Sequence, residues 1–208
     1  MNKINYQKEL DKIISKIDKE GLVPSLLLHS CCGPCSSYCI EYLSQYFNVT
    51  VFYYNPNIYP EEEYYHRVKE QQRFINEFPT KYPVSFIEGD YDTDSFYKMA
   101  KGLEKEPEKG LRCHKCYDLR LRRTAIVAKE KGFDFFTTTL TISPMKDSQV
   151  LNEIGIRIGE EEGIEWLPND FKKKEGYKRS TELSKEYDMY RQDYCGCVYS
   201  YNDRHKED

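Results

Sequence analysis

The chain carries no surplus of positive charge. Its 31 basic residues meet 35 acidic ones for a formal charge of −4, so no global field draws in nucleic acid and any such partner must be gripped by local patches. It has no apolar run long enough to span a membrane and no signal-peptide pattern, which leads us to expect a cytoplasmic protein without membrane association. Neither an internal repeat nor a low-complexity tract interrupts it, so repeat arrays are set aside. At 208 residues it suits a single domain with a real core.

What the chain has in quantity is cysteine. Eight thiols in a cytosolic chain are poor material for structural disulfides, because that compartment keeps them reduced; metal or redox chemistry is the better expectation. Cys39 reads as a small core residue. The others fall in three groups: Cys31, Cys32 and Cys35; Cys113-x-x-Cys116; and Cys195-Gly196-Cys197.

Taken in order, residues 4–20 carry Leu10, Ile13, Ile14 and Ile17 among charges, an amphipathic helix stopped by Gly21. The apolar run Leu22 to Leu28 reads as a buried strand, and Ser36 to Phe47 as a helix, which puts the first thiols at a strand-to-helix turn. Val49 to Tyr54 is strand two, Glu61 to Phe78 a helix, Pro83 to Glu88 strand three, and Asp94 to Lys101 a short helix. Cys113 and Cys116 open a helix over Tyr117 to Lys131, followed by strand Phe133 to Thr139, helix Lys146 to Glu162 and strand Ile164 to Leu167.

That alternation predicts an α/β fold, a Rossmann-like doubly wound parallel sheet of about five strands, with an N-terminal helix and a C-terminal extension of helix and loop. We divide the single domain into 1–21, the core 22–168, and an extension 169–208 with a helix near Thr181 to Arg191 and a polar, frayed tail from Asn202 to Asp208. A helix feeding a parallel strand starts near the carboxyl edge, so Cys113 and Cys116 should share the crevice with Cys31 and Cys32. Cys195 and Cys197 join them only if the extension crosses back over the top of the sheet.

The thiols admit several chemistries. Cys32-Gly-Pro-Cys35 matches the dithiol of thioredoxin-like oxidoreductases, but the order of elements downstream does not. Cys32/Cys35 with Cys113/Cys116 could make a four-cysteine zinc site, although the two knuckles lie farther apart than is usual. Adjacent cysteines chelate a single ion poorly, whereas a cubane offers each thiolate its own iron, which favours a cluster on Cys31, Cys32, Cys113 and Cys116. Cys195 and Cys197 are too close for an unstrained disulfide; Gly196 supplies the freedom to close one, so a redox-active pair is the functional reading. Two basic stretches, Arg112 to Arg123 and Lys172 to Arg179, could grip a phosphate backbone, and 19 tyrosines offer faces for stacking bases.

His29-x-Cys-Cys-x-Pro-Cys35, Tyr54-Asn-Pro-Asn-Ile-x-Pro60 with Glu63-Tyr64-x-x-Arg67, and Arg112-Cys-x-x-Cys-Tyr-x-x-Arg-Leu121 together resemble the cobalamin-independent epoxyqueuosine reductases. So do Thr137-Thr-Thr-Leu-x-x-Ser-Pro-x-Lys146 and Tyr190-Arg-Gln-x-Tyr-Cys-Gly-Cys197. The resemblance runs from about residue 26 to 200. It implies an enzyme of the last step of queuosine synthesis, which removes the epoxide oxygen of epoxyqueuosine at the wobble position of tRNA. It also implies a [4Fe-4S] cluster on Cys31, Cys32, Cys113 and Cys116, a redox-active pair at Cys195 and Cys197, and an external electron donor. A second, mononuclear iron is a further implication, with Cys35 as its candidate ligand where some relatives carry Asp. Deoxygenation also needs an acid, for which Tyr54, Tyr117 and Asp147 are candidates by position alone. The alternatives are a thioredoxin-like dithiol oxidoreductase and a zinc-stapled tRNA-binding or tRNA-modifying α/β protein. Adenylation is disfavoured because the first turn lacks a Ser-Gly-Gly-x-Asp-Ser phosphate loop.

Overall fold

A computed structural model of the chain describes residues 3–205. Strand β1 (Ser25–His29) lies at the centre of the sheet because its three leucines are apolar on both sides. Leu26 and Leu28 face one layer of the core and Leu27 the other, all three fully buried. Each contributes roughly 1.5–3 kcal/mol. Around it the strands β2 (Asn48–Tyr53), β3 (Ser85–Glu88), β4 (Phe135–Thr138) and β5 (Glu165–Trp166) form a five-stranded sheet in the order β3-β2-β1-β4-β5. Every pairing is parallel.

Helices α1 (Tyr6–Glu20), α2 (Gly33–Leu43) and α3 (Glu61–Glu77) cover one face. On the other lie α5 (Leu111–Glu130) and α6 (Ser148–Glu162), through Leu121, Ala125, Leu151 and Ile158. This is the doubly wound α/β architecture expected. The order reverses between β1 and β4, where His29 pairs with Thr138, so a crevice opens beyond the carboxyl ends of those two strands.

Several boundaries differ from the sequence reading; helix α2, for one, begins at Gly33 where Ser36 was expected and ends at Leu43 where Phe47 was expected. Helix α5 starts at Leu111, ahead of the expected Tyr117, so Cys113 and Cys116 sit within its first turns. The Glu106 carboxylate accepts from the Leu111 N–H, and the Arg112 guanidinium donates to the carbonyls of Leu103, Glu104 and Glu106, which fixes the preceding loop and starts the helix early. Helix α7 covers Gly176–Glu186; it stops short of Arg191 because Asp188 turns to positive φ and Met189 N–H returns to the Ser184 carbonyl. An unforeseen helix, α8 (Val198–Arg204), takes Asn202 to Arg204 of the expected tail, while 206–208 lie outside the described residues. Helix α4 (Thr93–Ala100) matches its expected place.

The extension does cross back. Helix α7 packs on α2, where Arg179 forks onto Glu41. The chain then turns along α3: Arg73 donates to the Tyr187 carbonyl, and Tyr190 N–H and hydroxyl bind Glu70 and Glu63. Tyr59 N–H donates to the Gly196 carbonyl at 2.8 Å, which pins the third thiol group above the crevice.

Candidate metal and redox site

The first thiols owe their placement to the break between β1 and α2. Cys32 is the extended N-cap of α2, with φ −173° and ψ 159°. An unbroken strand would part the side chains of residues 31 and 32; here Cys31 and Cys32 Sγ lie 3.8 Å apart. With Cys35 Sγ they form a group whose atoms all lie within 4.8 Å of one another, close enough to hold a metal ion. The expected divergence of the adjacent pair is therefore absent, because the helix begins directly after Cys32.

The floor below is tied by neutral hydrogen bonds. His29 Nε2 meets the Tyr54 carbonyl at 3.2 Å, which can only accept, so Nδ1 accepts from the Thr138 hydroxyl at 2.8 Å. Burial, with Arg120 nearby, pulls the His29 pKa down to about 3. Asn55 donates to the Ser30 carbonyl, and the Ser30 and Ser36 hydroxyls both donate to Gln71 Oε1. Gln192 Nε2 donates to Cys32 Sγ at 2.9 Å.

The other thiols stand around this group. Cys113 packs against the core layer that contains Cys31 and Cys32, with its sulfur accepting from Lys109 N–H at 3.3 Å, and lies outside the tight group of Cys31, Cys32 and Cys35. Cys116 packs with Cys197 and Tyr199. Cys195 bears electrostatically on both Cys113 and Cys116, and Arg120 feels Cys116, Cys195 and Cys31, one thiol from each group. All eight cysteines are free thiols. Cys39 is fully buried on α2, in the apolar core as expected.

The electrostatics are those of crowded thiols. Hydrogen bonds from Cys32 and Cys35 hold the Cys31 pKa well below the ordinary thiol value. The same contact with Cys31 pushes Cys32 up to about 12, and Cys31 and Cys32 push Cys35 well above its usual range. Of the three crowded sulfurs Cys31 is the easiest to ionise and makes ionisation of the other two harder; a bound cation lets more of them ionise. Burial raises Cys116 and Cys113 as well. Three buried polar atoms near Cys32 have no partner: Arg67 Nη2, Gln71 Nε2 and Gln192 Oε1. Sulfur donors in a sulfur-sized group, with polar atoms left open around them, fit a metal centre.

Sequence reasoning passed over the cations. Arg120 is 2% exposed, with Nη1 on Asn55 Oδ1, and it faces Cys116, Cys195 and Cys31. Burial works against the charge of Lys146, but Cys195, Cys31 and Tyr117 outweigh it and raise its pKa. Their signal lay in the motifs that hold them, without contacts to read. Of the basic stretches, Arg112 and Arg120 turn inward, Arg122 pairs with Glu161 and Glu162, Arg123 with Asp90, and Lys174 with Asp11.

The three acid candidates separate. Tyr117 is buried beside Lys146, Cys195 and Cys113. Tyr54 lines a groove of ≈ 920 Å³ between α5 and α6 that includes no cysteine. Asp147 is the N-cap of α6 and accepts from Gln149 N–H at 2.8 Å. A crevice of ≈ 550 Å³ opens beside Lys146, lined also by Lys109, Pro144, Lys172 and Lys173.

Fold and site together define a Rossmann-like α/β protein with a cysteine-built centre at the switch point of its sheet. Residues 26–203 match the model of the family described as epoxyqueuosine reductase QueH. The chain belongs to that family. It is 46% identical over 202 residues to epoxyqueuosine reductase QueH of Staphylococcus epidermidis, covering 95% of this chain and 85% of that one. To the protein of the same name from Streptococcus pyogenes it is 47% identical over 200 residues, covering 95% and 78%. To that from Thermotoga maritima it is 34% identical over 189 residues, covering 88% and 93%. Among solved structures, NMN synthetase from Francisella tularensis aligns with a TM-score of 0.48 at 10% identity, over 98% of this chain and 87% of that one. No helix among the described residues is long and apolar enough to cross a membrane.

Proposed function

We propose that this chain is an oxidoreductase of tRNA modification in the cytoplasm, reducing epoxyqueuosine to queuosine at the wobble position. Membership of the reductase family carries the reading; the tight group of Cys31, Cys32 and Cys35 supports it, as does the reach of Arg120 to Cys116, Cys195 and Cys31. The reaction takes two electrons and two protons, and leaves an alkene and water. In our reading Cys31, Cys32, Cys113 and Cys116 hold a [4Fe-4S] cluster, and Cys35 is a ligand for a further mononuclear iron. When bound, such a centre supplies single-electron transfer and a Lewis-acidic site for the epoxide oxygen.

The remaining chemistry belongs to side chains. Cys195 and Cys197 together store two electrons and two protons as thiols and give them up on forming a disulfide, which an external reductant reopens. Burial raises the Tyr117 pKa, so its hydroxyl keeps a proton beside the thiols. Lys146 and Arg120 place fixed positive charge where negative charge develops on oxygen. The crevice beside Lys146, where Lys109 and Lys173 stand with Asp147 and with a Lys172 paired to Asp170, is the contact we assign to a phosphate backbone.

The test begins with iron, acid-labile sulfide and zinc content on protein purified without oxygen, followed by turnover of tRNA carrying epoxyqueuosine. Iron and sulfide near four per chain, a visible band bleached by dithionite, and queuosine as product are expected. Zinc alone with no turnover would overturn the reading in favour of a structural thiol site. Reduction of disulfides through Cys32 and Cys35 by metal-free protein would favour a thioredoxin-like enzyme.

A further inference from the structure

Arg67 is the largest of the fully buried side chains, 1% exposed. Its Nε donates to Glu63 Oε1 at 2.6 Å, and the guanidinium lies 5.2 Å from the centre of the Tyr194 ring. On a third side, a Cβ added to Gly196 would stand 3.2 Å from Nη1, so the Cys195-Gly196-Cys197 turn rests directly on this group. Nη2 is shut away from solvent and has no partner. An arginine kept only to neutralise Glu63 has no need to bury a further donor, because an unmet buried donor is costly.

Besides Glu63, the groups that bear electrostatically on Arg67 are Tyr53 and Cys32. The Tyr53 hydroxyl, which donates to the Cys31 carbonyl, can also accept, but it is neutral, whereas a ligating thiolate draws the guanidinium by its charge as well. The Cys32 sulfur accepts the Gln192 amide and has lone-pair capacity left. We propose that Arg67 is a positioning residue that donates from Nη2 to the Cys32 sulfur when that sulfur carries iron, and so raises the reduction potential of the centre. The inference rests on the reading that Cys32 is a ligand. Hydrogen bonds to ligating sulfur, and positive charge beside it, draw electron density from the metal and favour the reduced state.

The test is spectroelectrochemistry of the visible band on anaerobically purified protein, with iron and sulfide counted on each sample. Removing Arg67 alone strands Glu63, so the informative variant is Arg67→Gln with Glu63→Gln, compared with Glu63→Gln alone. The double variant is expected to keep its iron and to show a more negative midpoint potential than the single one. Arg67→Lys, which retains a cation but cannot span both Glu63 and Cys32, should fall between them and remains readable should the double variant fail to fold. Lys69→Gln, exposed on the same helix, serves as the control and is expected to keep the parent potential. Potentials that coincide at equal iron content would overturn the inference and leave the reductase reading standing. Loss of iron from a folded double variant would overturn it as well, because a tuning contact leaves the thiolate ligands in place. Parent protein without iron would overturn both.

Discussion

Replacing Gly176 with Ala tests how the extension is seated. A Cβ there would lie 1.9 Å from the Phe171 carbonyl oxygen and 2.4 Å and 2.8 Å from Tyr38 Cε1 and Cδ1. Neither neighbour yields easily, since one is backbone and the other is a ring stacked on Tyr42 at 5.9 Å. Helix α7 must therefore lift at its start. Overpacking of this kind costs about 1–3 kcal/mol, and a backbone clash belongs at the upper end. With a urea m-value of about 2 kcal/mol/M, a loss of ~2 kcal/mol lowers the unfolding midpoint by about 1 M. The only tryptophan, Trp166, is buried in the core and reports the transition by its fluorescence. Gly102→Ala is the matched control, with φ +82° and nothing within 4 Å of the new methyl; it costs about 1 kcal/mol of left-handed strain. Because α7 leads into the segment that carries Cys195 and Cys197, Gly176→Ala should also slow turnover while iron content stays near that of the parent. An unchanged midpoint and m-value would refute the packing argument. A lowered midpoint with unchanged turnover per iron would refute the coupling to the third thiol group.

Cys113→Ala should lose iron and sulfide together with turnover; full turnover without the cluster sinks its assignment as a ligand. Cys195→Ser should retain iron yet stop after at most one turnover, read as queuosine formed per chain. Asp147→Ala removes the cap of α6 and should cost about 1 kcal/mol in urea unfolding without altering turnover. A large loss of turnover there would restore Asp147 as the acid in place of Tyr117.

The sheet was legible because its central strands are simple. Leu26 to Leu28 and Val49 to Tyr53 are short apolar or β-branched runs closed by turn residues, and the helices between them carry clear apolar stripes. The starts of α5 and α7 were hidden because contacts outside the local pattern set them: Glu106 and Arg112 for one, Phe171 and Tyr38 crowding Gly176 for the other. Topology alone led us to expect Cys113 and Cys116 at the same sheet edge as Cys31 and Cys32. That Cys35 would close a tight group with Cys31 and Cys32 did not follow from topology, since it depends on the helix starting at Gly33. Arg67 read only as part of a family motif and Arg120 as part of a basic stretch for a phosphate backbone; their burial is decided by the return of 187–197 and by Asn55, both distant in sequence.

The charge balance of the crevice argues for an anionic centre. Arg67, Arg120 and Lys146 all bear on the thiols. Only Arg67 has a carboxylate partner among the ion pairs of the described residues, which leaves two cations against sulfur alone. A neutral Cys32/Cys35 dithiol leaves those cations only the Cys31 sulfur of its group to balance, and with Cys32 and Cys35 both raised, a thioredoxin-like exchange would begin from poor nucleophiles. Thiolates gathered on a metal centre reverse both difficulties, since they are deprotonated outright and the whole carries negative charge. Two fixed cations then stabilise it and bias it toward accepting electrons. The same arrangement that makes three adjacent thiols awkward as free groups makes them suitable as ligands.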